Sequence, residues 1–506
     1  MKRPIILAAV ALLLSGWSAT ADVTPSLRAT VEEVCSGAVL SSSSVGLLAL
    51  TSAGDTLVAF NPELKLVPAS NVKLLTTGLA LKALGSDFRF ETRLGYSGEV
   101  NGGTLHGDLY IIGGGDPTTG SRSTVAEPLN SLFGDWLRLV EGAGIRKIDG
   151  RIVADPRFFD CATPENLGWS YDDLGTNYGV GPTGLNFFEN AQNFLITPGT
   201  APGAEPNVRP SYPETPWMQY SVSAVTGPRG SANTVYYVNT PLAPYGDIGG
   251  SFPVDRRGYT YEGSNRFGAY TCAWYFMNYL AEHGVEVSGG CADISSEGRL
   301  RTEPGFGDSG VPAAEVAALR QIGATSSANL AAIVAETNHE SNNFYAETLL
   351  KMIGLSEGYS CCGDGSIDAE KALFASLGLS ADGRCKLVDG SGLSRKNYVS
   401  AGFFVDFLRK MMDEPFFSTY LRSLPSPGSP GTLEYKFPRE SDAFRARIHM
   451  KSGSMNGILC YSGYILPSEE GGEAIVFSLL TNNVTASTWS LSPLVDRIIA
   501  ALAAEN

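Results

Sequence analysis

The chain has 506 residues, of which 43% are hydrophobic and 18% charged, a composition typical of a folded globular protein with room for two or three domains. Its formal net charge is −15 at pH 7. This charge argues against a nucleic-acid partner, because neutralising phosphates requires clustered Lys and Arg side chains.

The first residues have the pattern of an export signal. Two basic residues stand near the start, residues 5–14 form an apolar stretch, and Ala19-Thr20-Ala21 matches an A-x-A cleavage site. We therefore predict a signal peptide at 1–21 and a periplasmic or other extracytoplasmic mature chain. The alternative is an uncleaved anchor, but the apolar stretch is shorter than the roughly 20 residues that span a bilayer. We expect no transmembrane segment in the mature chain, because no later segment is long and apolar enough.

The front of the mature chain predicts a β-hairpin followed by a helix. The hairpin covers 45–60 with its turn at 52–55, and the helix covers 70–84. The helix has apolar side chains on one face, at Val72, Leu75 and Leu79.

The second half of the chain predicts helices and then strands. The helices lie at 329–338, 344–353, 367–377 and 401–412. Three consecutive strands and a closing helix follow at 444–451, 458–465, 474–481 and 488–504. Two strands from the front and three from the back can complete one five-stranded antiparallel sheet with helices packed on its faces, an α/β fold of the α+β type.

Residues 88–310 differ from the two ends of the chain in composition and in the length of their predicted strands. They are rich in Gly, Pro and short strands, such as those at 90–94 and 109–112. We interpret this region as an insertion of two smaller β-rich domains into a helix–sheet domain formed by 22–87 and 311–506.

Ser70 and Lys73 form the only S-x-x-K in the chain, at the start of the predicted helix. Residues three apart share a helical face, so the lysine amine can take the proton of the serine hydroxyl if burial and a second cation lower its pKa. A helix start also presents free backbone N–H groups to a developing oxyanion. The alternative for such a tetrapeptide is a capping serine followed by a solvated lysine.

Three of the S-x-N sequences in the chain compete for a second role. Ser341 and Asn343 lie in a tight connection between two predicted helices, where a hydroxyl can relay a proton and an amide can hold a peptide carbonyl. Ser231 and Ser327 match the same pattern. The residues alone leave this choice open.

Lys451, Ser452 and Gly453 come at the end of a predicted strand, at a turn into the next. The lysine and the hydroxyl can grip a terminal carboxylate, and glycine lets a substrate backbone approach closely. The alternative is an ordinary hairpin lysine. Joint occurrence of the three motifs in this order favours a shared site.

Two histidines near these motifs are interpreted as structural. They are His339 and His449, and no G-x-S-x-G elbow accompanies them.

The eight cysteines predict structural disulfides or buried thiols. The plausible local pairs are Cys361 or Cys362 with Cys385, and Cys272 with Cys291. We expect no metal site, because no C-x-x-C or H-E-x-x-H spacing occurs.

With these motifs the chain resembles the D-alanyl-D-alanine carboxypeptidase/endopeptidase family, the class C low-molecular-mass penicillin-binding proteins. The S-x-x-K, S-x-N and K-T-G type motifs carry the resemblance. Longer stretches similar to the family cover nearly all of the mature chain, at residues 107–118, 148–155, 343–347, 389–395, 431–433 and 480–483. These stretches favour Ser341 over its two competitors.

The resemblance implies a role for each site residue. Ser70 is the acylated nucleophile and Lys73 its general base. Ser341 and Asn343 take part in proton relay and substrate binding. Lys451 and Ser452 recognise the D-Ala carboxylate. The backbone N–H groups of Ser70 and Ser454 form the oxyanion hole, beside Gly453. Ser452 departs from the threonine that is common in the family, but it keeps the hydroxyl.

The sequence thus predicts a β-lactamase/transpeptidase-like catalytic domain with inserted smaller domains, acting as a serine DD-peptidase on peptidoglycan stem peptides ending in D-Ala-D-Ala. The activity is that of a carboxypeptidase, and of an endopeptidase where cross-bridges fit the cleft. No cofactor is expected, and β-lactams are expected to inhibit by trapping the acyl-enzyme. The alternatives are a β-lactamase or esterase on the same scaffold, and a non-catalytic cell-wall-binding scaffold.

Overall fold

A computed structural model describes residues 25–159, 161, 163–295, 298–302 and 319–505. The predicted signal peptide at 1–21 and the predicted domain boundary at 310/311 lie outside these residues. Among the residues that the structure describes, no helix combines the length and the apolar character needed to cross a bilayer.

The described residues form eleven α-helices, most of them where periodicity predicts one. Their bounds, in chain order, are α1 Pro25–Ser36, α2 Val72–Leu84, α3 Leu129–Gly142, α4 Gly268–Glu282, α5 Leu330–His339, α6 Asn343–Ser356, α7 Asp364–Ser376, α8 Ala401–Met412, α9 Phe417–Ser423, α10 Asp442–Ala446 and α11 Thr488–Ala504.

The same residues form twenty-six strands. Their bounds, in chain order, are β1 Ser44–Thr51, β2 Thr56–Phe60, β3 Lys65–Leu66, β4 Glu91–Tyr96, β5 Glu99–Asn101, β6 Thr104–His106, β7 Leu109–Ile112, β8 Lys147–Ile148, β9 Ile152–Asp155, β10 Ala191–Thr197, β11 Asn207–Tyr212, β12 Gln219–Val222, β13 Val225–Gly227, β14 Tyr236–Thr240, β15 Ala243–Gly249, β16 Ser251–Pro253, β17 Tyr259–Ser264, β18 Glu286–Val287, β19 Cys291–Ile294, β20 Leu300–Arg301, β21 Arg320–Ser326, β22 Cys385–Lys386, β23 Tyr398–Ser400, β24 Ile448–Met455, β25 Ile458–Ile465 and β26 Ile475–Asn482.

The chain divides into two compact units. The first holds the described residues up to Lys82, Thr337–Ser341 and the residues from Glu370 onward; the second holds Ala83–Glu336 and Asn342–Ala369. The boundaries between the units therefore fall inside α2, α5 and α7 and in the connection between α5 and α6. The finer domain boundaries and the number of inserted domains remain predictions.

The first unit contains the five-stranded sheet that the sequence predicts. Its strand order is β2-β1-β26-β25-β24, and every neighbouring pair is antiparallel. The central strands β25 and β26 are buried along their whole length, so their sequences are apolar without interruption. Helices α1 and α11 share an apolar core with one face of the sheet, and α8 contacts β1, β25 and β26.

The predicted strand at 444–451 is misplaced at both ends. Ser441 accepts a hydrogen bond from the backbone N–H of Phe444 and so caps the short helix α10, which occupies 442–446. Strand β24 begins only at Ile448 and continues to Met455. Lys451-Ser452-Gly453 therefore lies inside the edge strand of the sheet rather than at a turn.

Helix α2 is a central helix of the first unit. The sequence predicts one apolar face, but every side chain from Val72 to Leu81 is buried. A helix that is covered on all sides needs no polar face. Its N-terminus is thereby held in a fixed position.

The second unit is a mixed structure. Its largest sheet has the order β20-β19-β9-β7-β4-β21, in which β9 runs parallel to both β7 and β19. Helices α3 and α4, which the sequence interpretation did not anticipate, pack on an apolar core with strands of this sheet. Smaller sheets complete the unit, in the orders β18-β8-β6-β5, β11-β10-β17, β12-β15-β14 and β13-β16.

The disulfide pairing expected from local spacing is wrong. Cys161 and Cys362 form the disulfide of the second unit, with Cα atoms 5.5 Å apart although 201 positions separate them in the chain. Cys272, Cys291 and Cys385 have free thiols. The pairing follows from tertiary structure, which sequence spacing does not encode.

Candidate active site

Ser70 lies in a 3₁₀ turn, Ala69–Asn71, that leads directly into α2. Its neighbours in the turn are buried, whereas Ser70 itself keeps part of its surface exposed. Asn71 donates from Nδ2 to Ser462 Oγ at 2.7 Å, and so joins the turn to strand β25. Ala69 has a positive φ of 47°, which is uncommon for a residue with a Cβ and indicates local strain.

Lys73 follows one turn later, with its side chain fully buried. Its Nζ lies 3.1 Å from Ser70 Oγ and 2.7 Å from the backbone oxygen of Ser391. The amine is therefore within hydrogen-bond reach of the hydroxyl whose proton a general base would take.

The loop at 389–394 holds that backbone oxygen in place. The buried carboxylate of Asp389 accepts hydrogen bonds from the N–H groups of Gly392 at 2.9 Å and Ser394 at 2.6 Å. Gly392 has a φ of +82°, and a Cβ there would lie 1.9 Å from the backbone oxygen of Ala69. From the sequence, this stretch is recognisable only by its resemblance to the family. An aspartate three residues before a glycine was the available signal for the loop, but nothing in it pointed to Lys73.

Lys451 is the second fully buried lysine of the first unit's site, on the edge strand β24. Its Nζ donates to Ser341 Oγ and to the backbone oxygen of Ser452, both at 2.9 Å. Burial holds the pKa of Lys451 well below its ordinary value, and the nearby positive charge of Lys73 lowers it further. The two lysines therefore disfavour each other's ammonium form.

Ser341 lies just after α5, with a positive φ of 57°. The backbone oxygen of His339 accepts a hydrogen bond from the N–H of Thr432 at 3.0 Å, which secures the approach to this residue. The competing Ser231 and Ser327 belong to the second unit and bond to nearby backbone oxygens, Pro228 and Ala328 respectively. Of the three, Ser341 is the one that contacts Lys451.

The residues after Lys451 continue along β24. Gly453 is buried against the turn that carries Ser70, since a Cβ at 453 would lie 2.6 Å from the backbone oxygen of Pro68 and 3.0 Å from the Ser70 nitrogen. Ser452 is half-buried and Ser454 is exposed. Glycine is thus required here for close approach of two backbones of the chain itself, whereas the expectation from the sequence was close approach of a substrate backbone.

Asn343 begins α6 in the second unit. Its Nδ2 donates to the backbone oxygen of Tyr178 at 3.0 Å. Its participation in the site of the first unit remains a prediction. The first unit therefore brings together Ser70, Lys73, Ser341, Lys451 and Gly453, with Ser452 and Ser454 on the same strand.

The two histidines near these motifs are partly buried. Burial lowers the pKa of both imidazoles from their usual value, and the charge of Lys451 adds to this effect at His339. His449 Nδ1 lies 3.4 Å from Ser426 Oγ. Their interpretation as structural residues stays a prediction.

Comparison with known proteins identifies relatives along nearly the whole chain. A family model, described as the D-Ala-D-Ala carboxypeptidase 3 (S13) family, matches residues 27–500. A D-alanyl-D-alanine carboxypeptidase of Actinomadura sp. (strain R39) is 31% identical over 480 residues, which cover 90% of this chain and 81% of that protein. The D-alanyl-D-alanine carboxypeptidase DacB of Haemophilus influenzae is 23% identical, over 90% of this chain and 89% of its own length.

Solved structures give the same fold. The crystal structure of penicillin binding protein 4 (dacB) from Haemophilus influenzae superposes with a TM-score of 0.75 at 21% identity, covering 92% of this chain and 97% of that one. The predicted fold class is confirmed by this match. Because the family model spans almost all of the sequence and a relative above 30% identity covers most of it, the chain belongs to the D-Ala-D-Ala carboxypeptidase 3 (S13) family of serine-type peptidases.

Proposed function

We propose that this serine-type D-Ala-D-Ala carboxypeptidase cleaves cell-wall stem peptides with Ser70 as its nucleophile and Lys73 as the general base. The observation that carries the proposal is the 3.1 Å contact between Lys73 Nζ and Ser70 Oγ, made by a lysine buried beside a second lysine. A serine hydroxyl is a weak nucleophile until a base takes its proton, and a neutral amine can be that base. The repulsion between the two buried cations favours such a neutral amine.

Substrate binding would settle which lysine carries the positive charge. The terminal D-Ala carboxylate brings a negative charge, which Lys451 and the Ser452 hydroxyl are suited to bind. Pairing with the carboxylate stabilises the ammonium of Lys451, and that ammonium in turn disfavours a second one on Lys73. The substrate therefore helps to create the base that attacks it.

The reaction then follows the acyl-transfer sequence. Ser70 Oγ attacks the carbonyl carbon of the penultimate D-Ala while its proton passes to Lys73. The N–H groups of Ser70 and Ser454 are proposed to stabilise the oxyanion, a kind of contact whose loss typically costs about 10²- to 10³-fold in rate. Collapse of the intermediate breaks the peptide bond and releases D-Ala, whose amine receives a proton through Ser341.

The acyl-enzyme completes the cycle when water attacks the ester and regenerates Ser70. A β-lactam would acylate the same hydroxyl and persist there, since its ring-opened product stays attached and blocks the water. A structure of the Haemophilus influenzae relative is described as complexed with a novel β-lactam. A cross-linked peptide in place of terminal D-Ala would make the same chemistry an endopeptidase, with Asn343 proposed to hold the peptide.

Export completes the proposal. The Ala19-Thr20-Ala21 cleavage pattern and the basic, apolar start support a signal peptide and action at the cell wall in the periplasm.

The first prediction concerns covalent labelling. We expect Ser70→Ala to abolish both the binding of labelled penicillin and the release of D-Ala from a D-Ala-D-Ala peptide, because the variant lacks the hydroxyl that bonds to Lys73 Nζ and would be acylated. Mass spectrometry of the intact protein measures the label. A Ser70→Ala chain that still gains the mass of penicillin would remove Ser70 from its role.

Ser341→Ala in the same assay should slow labelling without abolishing it, because the hydroxyl relays a proton but forms no bond to the ligand. Ser231→Ala is the matched control, since its hydroxyl bonds to Pro228 in the second unit. Equal labelling rates for the two variants would contradict the relay.

The second prediction concerns the positioning of Lys73. We expect Gly392→Ala to slow acylation about 100-fold or more, because the new Cβ displaces the loop whose Ser391 oxygen fixes the amine. Gly471→Ala is the control, because Gly471 has a similar φ of +86° but no atom within 4 Å of an added Cβ. Both variants suffer backbone strain of about 1–2 kcal/mol. Stopped-flow acylation rates that fall equally in both would assign the effect to strain alone.

The third prediction follows from the lowered pKa of Lys451. A lysine in the unfolded chain titrates near about 10.4, so the cost of burying the ammonium is absent above that pH and grows as the pH falls towards the lower folded-state pKa. Lys451→Met leaves an unbranched side chain, one heavy atom shorter, without the charge. We therefore expect this variant to unfold at a higher temperature than the wild type at pH 7, with a difference that shrinks towards pH 10, while D-Ala release is lost.

Calorimetry across that pH range measures the difference. Lys410→Met, at an exposed position near the end of α8, is the control and should show no comparable change with pH. A difference for Lys451→Met that stays constant with pH, or that is negative throughout, would contradict the electrostatic cost.

The fourth prediction concerns processing. In a bacterial host we expect the purified protein to begin at Asp22 and to appear in the periplasmic extract, because Ala21 ends the cleavage pattern. Ala21→Arg should block cleavage. N-terminal sequencing decides the matter, and a periplasmic chain with an intact residue 1 would favour the uncleaved anchor instead.

A further inference from the structure

Three sulfur atoms meet in the second unit, outside the site described above. We call Cys161, Cys361 and Cys362 the sulfur cluster. Cys161 and Cys362 form the disulfide, and the free Cys361 Sγ lies 3.5 Å from Cys362 Sγ and 3.9 Å from Cys161 Sγ. All three Sγ atoms lie within 4.8 Å of one another, and Cys361 is buried.

The free sulfur stands beside the S–S bond rather than beyond one of its ends. For in-line attack on the disulfide, one of its sulfurs would lie much farther from Cys361 Sγ than the other, whereas the two distances differ by only 3.9 − 3.5 = 0.4 Å. This arrangement does not suit thiol–disulfide exchange, in which a thiolate attacks one sulfur and expels the other. It does suit three ligands arranged around a common point.

The spacing matches a thiolate metal site. Zinc binds thiolate sulfur at about 2.3 Å, so two sulfurs of a tetrahedral site lie about 3.8 Å apart. The two distances from Cys361, 3.5 Å and 3.9 Å, bracket this value. When the disulfide opens, the distance between Cys161 Sγ and Cys362 Sγ can also increase to a non-bonded distance.

A buried lysine lies against the cluster. Lys351 Nζ donates to the backbone oxygens of Pro164 at 3.1 Å and Pro182 at 3.0 Å, and to Cys161 Sγ at 3.6 Å. These contacts link Cys161 to the segments that carry the two prolines. Soft thiolate ligands suit an ion of the zinc class.

A cavity gives access to the cluster from one side. It has a volume of about 300 Å³, and its lining includes Phe159, Cys161, Pro164 and Pro182. The cavity is large enough for an ion and for a water molecule as a fourth ligand.

We propose that the reduced chain binds one thiophilic divalent cation of the zinc class at Cys161, Cys361 and Cys362. A dithiol reductant gives two electrons and two protons to the Cys161–Cys362 bond and becomes a disulfide itself; the bond opens to two thiols. The ion then binds as three S–H protons leave for solvent. Oxidation by a disulfide reverses both steps and expels the ion, so the disulfide and the metal are alternative occupants of one position.

The test uses the full chain, reduced with a phosphine that does not bind the metal and titrated with Cd²⁺ as the spectroscopic probe and Zn²⁺ as its competitor. We expect one ion per chain, with the ultraviolet sulfur-to-cadmium charge-transfer band, and no such band before reduction. Cys361→Ser keeps the disulfide and should weaken binding by more than the roughly 10- to 100-fold that the loss of an outer-shell partner costs. Cys385→Ser removes a free thiol of the first unit and is the matched control.

Circular dichroism follows folding in the same samples. If reduction unfolds the second unit, Zn²⁺ should restore its structure in the wild type and in Cys385→Ser but not in Cys361→Ser. The proposal is overturned if the reduced wild type shows no cadmium–sulfur band, if Cys361→Ser and Cys385→Ser bind alike, or if a reduced, unfolded chain stays unfolded with Zn²⁺.

Discussion

The burial of two lysine side chains in one small site is the constraint on which the catalytic arrangement of the first unit depends. Lys73 and Lys451 are both fully buried, and each charge disfavours the other. In water a pair of ammonium groups costs little, but here burial lowers the pKa of Lys451 and the charge of Lys73 lowers it further. A substrate carboxylate is a suitable counter-ion for such a site. The burial that disfavours two ammonium groups without a counter-ion therefore also favours binding of the carboxylate.

Holding these amines in place requires close contacts and local strain elsewhere. Ala69 and Ser341 both have positive φ values, and Gly392 and Gly453 bring their backbones against the turn that carries Ser70 without room for a side chain. Strain of this kind persists only when the surrounding structure fixes it, and here α2 is covered on all sides while Asn71 is bonded to β25. The rigidity of the core therefore serves the geometry of the site.

Much of this could be predicted from the sequence, and the failures have physical reasons. The five-stranded sheet follows from apolar runs at the two ends of the chain, and Ser70 and Lys73 follow from a spacing that any helix start would bring together. Lys451 was recognised but misplaced, because the capped turn of α10 interrupts an alternation of apolar and polar residues that looks like one strand. The Ser391 oxygen was missed because a backbone carbonyl leaves no trace in a residue pattern. The disulfide was missed because 201 positions separate its cysteines.

The sulfur cluster was missed for the same reason, because Cys161 is far from the other two cysteines in the sequence. The cluster lies among contacts that join α6 to another segment of the second unit. Asn343, Lys351 and the disulfide all join the segment from α6 onward to residues between 161 and 182, through Tyr178, Pro164, Pro182 and Cys161. Asn342 adds a bond to Glu189 just beyond them. The proposed exchange of the disulfide for an ion would therefore act, within the second unit, on the helix that begins with Asn343.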